Sequence, residues 1–203
     1  MNQNLYKIAN LFIDKMLNKN EFKKIGEEMK DFDKRRENVI NKAHEIIRMS
    51  KLVIHSIHKD KTNIAHLIKK MSDLVDKMRT RGELQFSSFY KVAMQEYVEA
   101  ICFYQVIKNN KLPTQVDLKV SAPDYLSGLC DLTGELMRKA NNLWINKKPK
   151  EALKIVDLVS DIYEAFIHLD IRNQDLRKKA DSIKYNLRKL EDLENHIKSR
   201  QRK

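Results

Sequence analysis

The chain has 203 residues, of which 42% are hydrophobic, and its formal net charge at pH 7 is +12. Two cysteines, Cys102 and Cys130, without a C-x-x-C motif do not indicate a disulfide scaffold, and no apolar run is long enough to cross a membrane. The positive charge favours anionic partners, above all nucleic acid, although solvation by lysine is the alternative explanation. We expect a cytoplasmic protein that does not bind membranes.

The fold class follows from the spacing of the apolar residues. With 4 Gly and 3 Pro, helical spacing throughout and no alternating strand pattern, the sequence predicts an all-α protein with one domain over residues 1–203. Residues 1–20 are predicted to form a short helix, and residues 21–58 a long one with a coiled-coil-like seam. The seam positions that recur every seven residues are Phe32, Val39, Ile46 and Val53.

The long helix also carries candidate contacts and a histidine pair. Its basic face includes Arg35 and Arg36, which are candidate contacts for a nucleic-acid backbone, although a solvated helix face explains them as well. His55 and His58 lie one turn apart near its end. The sequence around them does not complete a metal-binding motif, so we predict a polar surface or a hydrogen bond there.

The next predicted helix, over residues 63–80, ends in a basic corner. The corner reads Arg79-Thr80-Arg81-Gly82, where glycine stops the helix. Arg79 and Arg81 are therefore two further candidate contacts for a nucleic-acid backbone.

Two carboxylates lie one turn apart in the helix predicted over residues 83–108. Glu96 and Glu99 belong to the run FSSFYKVAMQEYVEAICFYQVI, which is apolar almost all round and is therefore predicted to be buried. Isolated buried charge is too costly, so such groups are paired, protonated or bound to a metal. Aromatic residues of this run are candidates for stacking on bases, although at this spacing they are more often core residues. These aromatic residues are Tyr90, Tyr97 and Phe103.

A second carboxylate pair lies in the helix that follows an irregular stretch at 109–121. Asp131 and Glu135 are four residues apart and share one helix face. If the two helices face each other, four carboxylates converge, and an oxygen-only cluster of this kind suits Mg²⁺ or Mn²⁺. Alternatively, basic side chains one turn later neutralise the second pair. These basic residues are Arg138 and Lys139.

The helix that carries the second carboxylate pair contains two glycines, and two further helices follow it. Gly128 and Gly134 interrupt the second carboxylate helix, which we explain by close approach of another backbone or by room for a substrate. Helices predicted over 150–168 and 172–200 complete the chain, and residues 198–203 are predicted to be a frayed tail.

Four segments resemble the translin family, and specifically its nuclease branch, that of translin-associated factor X. They occur in the family's order from about residue 31 to the C-terminus, whereas residues 1–30 carry little of the resemblance. The segments are FDKRRENVINKAHEIIRMSKLVIHSIHK at 32–59, QEYVEA at 95–100, YLSGLCDLTGELMR at 125–138 and LRKKADSIKYNLRKLEDL at 176–193. The third segment is fairly specific to the family, while EYxEA alone is a weak signal.

The resemblance implies a seven-helix bundle with long antiparallel helices that assembles into a closed hollow homo-oligomer, typically an octamer. It also implies binding of RNA or single-stranded DNA. In the nuclease branch, Mg²⁺-dependent cleavage of RNA depends on acidic residues that match Glu96, Glu99, Asp131 and Glu135 here. By this resemblance we expect a Mg²⁺-dependent endoribonuclease acting on single-stranded or processed RNA, with Mn²⁺ as a substitute for Mg²⁺.

Other functions stay open at this point. A non-catalytic ring that binds single-stranded RNA or DNA, as in the translin branch, is the main alternative. Other enzymes with paired carboxylates fit less well. All-α nucleotide pyrophosphohydrolases combine ExxE with ExxD, whereas the second pair here is Asp-x-x-x-Glu. Di-iron bundles need Glu-x-x-His, which does not occur in this sequence. A helical adaptor with solvated acids is the third alternative.

Overall fold

The computed structural model confirms the predicted all-α architecture. It describes residues 17–61, 63–80 and 82–201, and within these ranges it contains seven α-helices and no strand. The helices are α1 (Lys19–His58), α2 (Ala65–Met78), α3 (Ser88–Asn109), α4 (Gln115–Leu118), α5 (Ala122–Ile145), α6 (Pro149–Ile167) and α7 (Gln174–Gln201), with a 3₁₀ helix, η1 (Gly82–Phe86), before α3. None of the described helices is long and apolar enough to cross a membrane.

The first long helix begins at Lys19 instead of residue 21. The side-chain oxygen of Asn18 accepts a hydrogen bond from the backbone N–H of Glu21 at 3.2 Å, which satisfies one of the free donors of the first turn. Asn18 therefore caps the start of α1. The short helix predicted over residues 1–20 lies for the most part outside the described residues.

The chain divides into two compact units, Met1–Asn41 and Lys42–Lys203. The described part of the first unit is dominated by the N-terminal part of α1. Several of its large apolar side chains are exposed to solvent: Leu17, Phe22, Ile25 and Met29. That residues 1–203 form one domain stays a prediction.

The core of the second unit forms around α5, which contacts α3, α6 and α7. The predicted seam residues Ile46 and Val53 are completely buried, as the seven-residue repeat requires. Cys102 and Cys130 are buried free thiols, and burial raises the pKa of each to about 12. Both therefore act as small apolar core residues, as predicted.

Helices α3 and α5 approach closely at Gly128, as predicted. A Cβ atom at this position would lie 2.6 Å from Val98 Cβ and 2.8 Å from the carbonyl oxygen of Gln95, which is too close for any other residue. The explanation does not extend to Gly134. There the nearest atom to a Cβ would be the side-chain nitrogen of Asn186, at 3.7 Å, which is an ordinary contact.

Two predicted segments differ in detail from the structure. The irregular stretch 109–121 contains the one-turn helix α4, because Thr114 and Asp117 form a capping box with hydrogen bonds of 2.9 and 3.1 Å. The helix predicted over residues 83–108 divides at Ser87, which separates η1 from α3.

The last helix extends into the segment that was predicted to be a frayed tail. Helix α7 continues to Gln201. Lys198 Nζ lies 2.5 Å from Glu194 Oε1, and such an ion pair one turn apart supports the last turns of a helix. Residues 202 and 203 lie outside the described residues.

Candidate active site

Helices α3 and α5 bring the four predicted carboxylates into one neighbourhood. Glu96 and Glu99 lie on α3, whereas Asp131 and Glu135 lie on α5. Burial first, and then the negative charges of the other three carboxylates, raise the pKa of Glu99 to about 8. The Glu99 carboxyl is therefore mostly neutral at pH 7 in this arrangement.

The sequence around Glu99 explains why a carboxylate is held there. Its neighbours Val98 and Ala100 are completely buried, so the backbone of α3 is fixed against the core on both sides of it. The contact of Val98 with Gly128 keeps α3 close to α5. Burial also raises the pKa of Glu96, against the opposing positive charge of Lys51.

Glu135 has a partner that the sequence did not indicate. His58, at the end of α1, makes a hydrogen bond through Nε2 to Glu135 Oε2, and its side chain is only 4% exposed. This hydrogen bond, opposed by burial and assisted by Arg138, lowers the pKa of Glu135. The prediction of a hydrogen bond was right for His58, but its place beside the carboxylates was missed, because the two residues are 77 positions apart in the chain.

Asp131 pairs with a lysine of the last helix. Lys179 Nζ lies 2.5 Å from Asp131 Oδ2 and donates a second hydrogen bond to Gln95 Oε1 at 3.1 Å. The amide nitrogen of Gln95 lies 3.4 Å from Asp124 Oδ1. A hydrogen-bonded chain therefore runs from Asp124 through Gln95 and Lys179 to Asp131.

The neutralising role considered for Lys139 is wrong, and that of Arg138 holds in part. Lys139 is buried and binds Asp60 at 2.6 Å and the carbonyl oxygen of Ile57 at 3.3 Å instead of either carboxylate of α5. Arg138 Nη1 lies 3.7 Å from Glu135 Oε2, at the long end of an ion pair. The side chains that directly contact Asp131 and Glu135 thus come mainly from other helices.

In this arrangement the negative charge of the four carboxylates is reduced by neighbouring side chains and by a proton, without a metal ion. Within residues 17–61, 63–80 and 82–201, no three acidic, histidine or cysteine side chains form a group that could hold a metal ion. Lys179 forms an ion pair with Asp131, and His58 is hydrogen-bonded to Glu135. The raised pKa of Glu99 keeps its carboxyl mostly neutral at pH 7. A cation that binds here would therefore compete with Lys179, with His58 and with the proton of Glu99.

The arginine candidates have different surroundings. Arg79 donates hydrogen bonds to the carbonyl oxygens of Lys119 and Leu118, the latter at 3.1 Å, which gives it a structural role at the end of α4. Arg35 donates to a backbone carbonyl within α1 at 3.4 Å, and Arg36 lies next to it on the same helix. Arg81 lies outside the described residues. A contact of these arginines with nucleic acid stays a prediction.

The aromatic residues considered for stacking are core residues. Tyr90, Tyr97 and Phe103 are 9%, 7% and 0% exposed, and the Phe103 ring packs against the ring of His58. The exposed aromatic of this region is Phe86, 66% exposed at the end of η1, which the apolar pattern did not single out.

The fold and the site together define a class of protein: an all-helical protein in which four carboxylates lie on two packed helices. Within this class the chain belongs to the translin family, whose model matches residues 19–200. The predicted resemblance is therefore confirmed over nearly the whole chain.

Some of the related proteins are named translin and others translin-associated protein X. A translin-associated protein X homologue of Schizosaccharomyces pombe is 31% identical over 127 residues, 53% of this chain and 54% of that protein. An uncharacterised protein of Methanocaldococcus jannaschii is 28% identical over 155 residues, 73% of this chain and 70% of that protein. Chicken translin is 34% identical over 70 residues, 34% of this chain and 31% of that protein. The chain thus spans about half the length of the yeast relative and less of translin.

Solved structures agree with the fold. A complex of AfC3PO with duplex RNA superposes with a TM-score of 0.80 at 26% identity, covering 88% of this chain and 97% of that one. Apo-NeC3PO gives a TM-score of 0.80 at 24% identity over 89% of this chain and 98% of that one, which supports the fold alone. The relatives named translin-associated protein X support the branch of the family that the resemblance indicated.

Proposed function

We propose that this chain is a metal-dependent endoribonuclease that hydrolyses phosphodiester bonds in single-stranded or processed RNA. The observation that carries the proposal is the Glu99 carboxyl, which lies partly buried among three further carboxylates and has a pKa of about 8. Strongly perturbed carboxyl groups clustered in this way are typical of catalytic sites. A structural ion-pair network does not require an acid at this position, since a glutamine or an apolar residue would cost less.

The donor groups fit Mg²⁺ in chemical type. Glu96, Glu99, Asp131 and Glu135 offer oxygen ligands only, which Mg²⁺ and Mn²⁺ prefer. When bound, Mg²⁺ supplies positive charge that neutralises the phosphate and acidifies a water molecule. Binding requires Asp131 to separate from Lys179, and Glu135 from His58, at least in part.

The chain's own residues have distinct roles in this proposal. Glu99, in the molecules in which its carboxyl is ionised, accepts the proton of the attacking water; this fraction grows as the pH rises towards its pKa of about 8. Lys179, once released from Asp131, lies close enough to the cluster to stabilise negative charge on the phosphate. Before the metal binds, His58 orients Glu135 through its Nε2 hydrogen bond.

RNA is proposed as the substrate on two grounds. A structural neighbour binds duplex RNA, and the net charge of +12 favours a polyanion. Single-stranded DNA is a further proposed ligand. We propose a homo-oligomer, with eight copies as in the predicted octamer, and a cytoplasmic location.

The alternative function is a ring that binds RNA or single-stranded DNA without cutting it. One observation favours it: Asp131 is already paired with Lys179 and Glu135 is hydrogen-bonded to His58, and no group of three is positioned for a metal among the described residues. In this alternative Lys179 permanently supplies positive charge at Asp131, and His58 stays hydrogen-bonded to Glu135.

Cleavage of a labelled single-stranded RNA in Mg²⁺ and in EDTA separates the two functions. The wild type is expected to cut the RNA only with Mg²⁺, and Glu99→Gln is expected to bind but not cut. Glu164→Gln is the matched control, because Glu164 is exposed on α6. Binding without cleavage by all three proteins would refute the nuclease and support the binding ring.

A further inference from the structure

A cavity of about 500 Å³ opens beside the carboxylate cluster, where α3, α5 and α7 begin. Its volume falls in the range of roughly 300–1,000 Å³ that is usual for small-molecule sites. Gln95 and Lys179 line it, and through them it connects to Asp131 of the cluster. None of the four carboxylates lines the cavity, so it is a neighbouring site and not the cluster itself.

An exposed aromatic ring stands at one wall of the cavity. Phe86 is 66% exposed, although a phenylalanine at the end of a packed 3₁₀ turn is usually buried. Lys91 Nζ lies 6.0 Å from the centre of the ring. An aromatic face next to a flexible cation is the combination that binds single-stranded nucleic acid, since the ring stacks on a base and the cation binds the adjacent phosphate.

The floor of the cavity is polar. Asp124 is only 5% exposed, and its carboxylate accepts hydrogen bonds from Ser121 Oγ at 2.6 Å and Gln95 Nε2 at 3.4 Å. A carboxylate has about four acceptor positions, so these bonds leave acceptor capacity for the amino group of a base. Lys119 and Lys179 add positive charge to the lining.

We infer that this cavity is a subsite for one unpaired nucleotide of the RNA strand, next to the phosphate that lies at the carboxylate cluster. The base stacks on Phe86 with its amino group towards Asp124, and Lys91 binds the phosphate adjacent to this base. The inference rests on the proposed function only in placing the cleaved phosphate at the cluster. A base in a duplex is paired and stacked on both faces, so the subsite selects unpaired RNA.

The test compares the affinity of single-stranded and duplex RNA for variants of Phe86. The probe is a fluorescein-labelled single-stranded RNA, free or annealed to its complement, bound in EDTA so that it is not cut. Phe86→Ala is expected to weaken binding of the single strand about 5- to 150-fold, the effect of one base stack, and to leave duplex binding unchanged. Phe86→Tyr keeps the stacking face and is expected to bind within about twofold of wild type.

Val116→Ala is the matched control, because Val116 is 79% exposed and does not line the cavity. Unchanged single-strand affinity of Phe86→Ala would overturn the subsite, and so would an equal loss for single strand and duplex. A change in the number of subunits of Phe86→Ala would assign the ring to an interface between copies and would also overturn it.

The outcome is distinguishable from a failure of the nuclease proposal. If wild-type protein cuts RNA and Phe86→Ala cuts it with an unchanged KM, the subsite is refuted and the nuclease stands. If no variant cuts RNA but Phe86→Ala loses affinity for the single strand alone, the subsite stands in a binding protein. If wild type does not bind the single strand, the subsite is refuted.

Discussion

At the scale of single residues, Glu99 links the site to the stability of the fold. Its pKa of about 8 in the folded protein lies above its ordinary value of 4.5, so the folded state holds a proton that the unfolded state has lost between these pH values. Stability therefore falls as the pH rises from about 4.5 through about 8 and does not fall further above that range because of this group. The cost of the buried charge is fully present only at alkaline pH.

Glu99→Gln should remove this pH-dependent cost. We expect the variant to match the wild type in stability near pH 4.5 and to exceed it increasingly towards pH 8, with a slope of at most about 1.4 kcal/mol per pH unit. Urea unfolding at about pH 5, 7 and 9 measures the difference. Glu164→Gln should show no such trend, and parallel pH profiles for wild type and Glu99→Gln would contradict the burial of this charge.

Lys179 competes with a metal for Asp131 in the proposed site. Both side chains are 37% exposed, so the ion pair is worth only about 0.5–1 kcal/mol. Removing it in Lys179→Met is expected to lower the Mg²⁺ concentration for half-maximal cleavage about two- to fivefold.

The measurement is a Mg²⁺ titration of the cleavage rate. Lys178→Met removes the same charge from the preceding, exposed position of α7 and is the control. An equal shift in both variants would indicate a general charge effect, and an unchanged requirement in Lys179→Met would show that Lys179 does not oppose the metal.

At the scale of helices, the distance between α3 and α5 depends on one missing side chain. Gly128→Ala would place a Cβ 2.6 Å from Val98 Cβ and 2.8 Å from a backbone carbonyl, and the backbone cannot move aside cheaply. We expect a loss of about 1–3 kcal/mol in stability together with reduced cleavage, because Glu99 and Asp131 would move apart.

Gly134→Ala is the opposite case and serves as the control for Gly128→Ala. A Cβ at Gly134, in the same helix α5, would meet only the side-chain nitrogen of Asn186 at 3.7 Å, an ordinary contact. Alanine should therefore stabilise the helix by roughly 0.5–1 kcal/mol. Thermal unfolding of both variants measures the contrast, and a neutral Gly128→Ala would show that the two helices separate without cost.

The same helices show how far sequence reasoning reaches. Spacing along one helix predicts that Glu96 and Glu99 share a face, and two costly glycines in α5 indicate a close approach, which is confirmed at Gly128. The partners of the carboxylates were not predictable in this way. Lys179 is 48 positions from Asp131 and His58 is 77 positions from Glu135, so these contacts depend on how whole helices pack.

The exposure of Phe86 was missed for a related reason. A phenylalanine at the start of an apolar run is expected to be buried with the rest of the run. The helix predicted over this region divides at Ser87, and η1 leaves the ring outside the core. At the division the backbone N–H and the Oγ of Ser87 both donate hydrogen bonds to the carbonyl oxygen of Leu84, at 3.3 and 2.5 Å, and the apolar pattern does not record this turn.

At the scale of the whole molecule, the proposed oligomer requires a surface that a single chain leaves uncovered. In the first unit, Phe22, Ile25 and Met29 follow one another at three- and four-residue spacing and so share one face of α1. They are 58%, 45% and 54% exposed. An apolar stripe of this kind on an otherwise charged helix is typical of an interaction surface.

Phe22→Glu is therefore expected to disrupt assembly without unfolding the chain. The charge would lie in the middle of the apolar stripe, where burial against another copy would leave it unpaired, whereas the exposed position tolerates it in a single chain. Light scattering coupled to gel filtration should give a smaller mass for Phe22→Glu than for the wild type, and circular dichroism should show unchanged helix content.

Asn20→Glu separates an effect of position from an effect of charge. Asn20 is exposed on the opposite side of α1 from Phe22, and its substitution changes the net charge by the same amount. It should leave the mass of the assembly unchanged. If both variants keep the wild-type mass, the stripe does not join copies of this chain. If the wild type itself is monomeric, the proposed oligomer is wrong and the apolar stripe does not join copies of this chain.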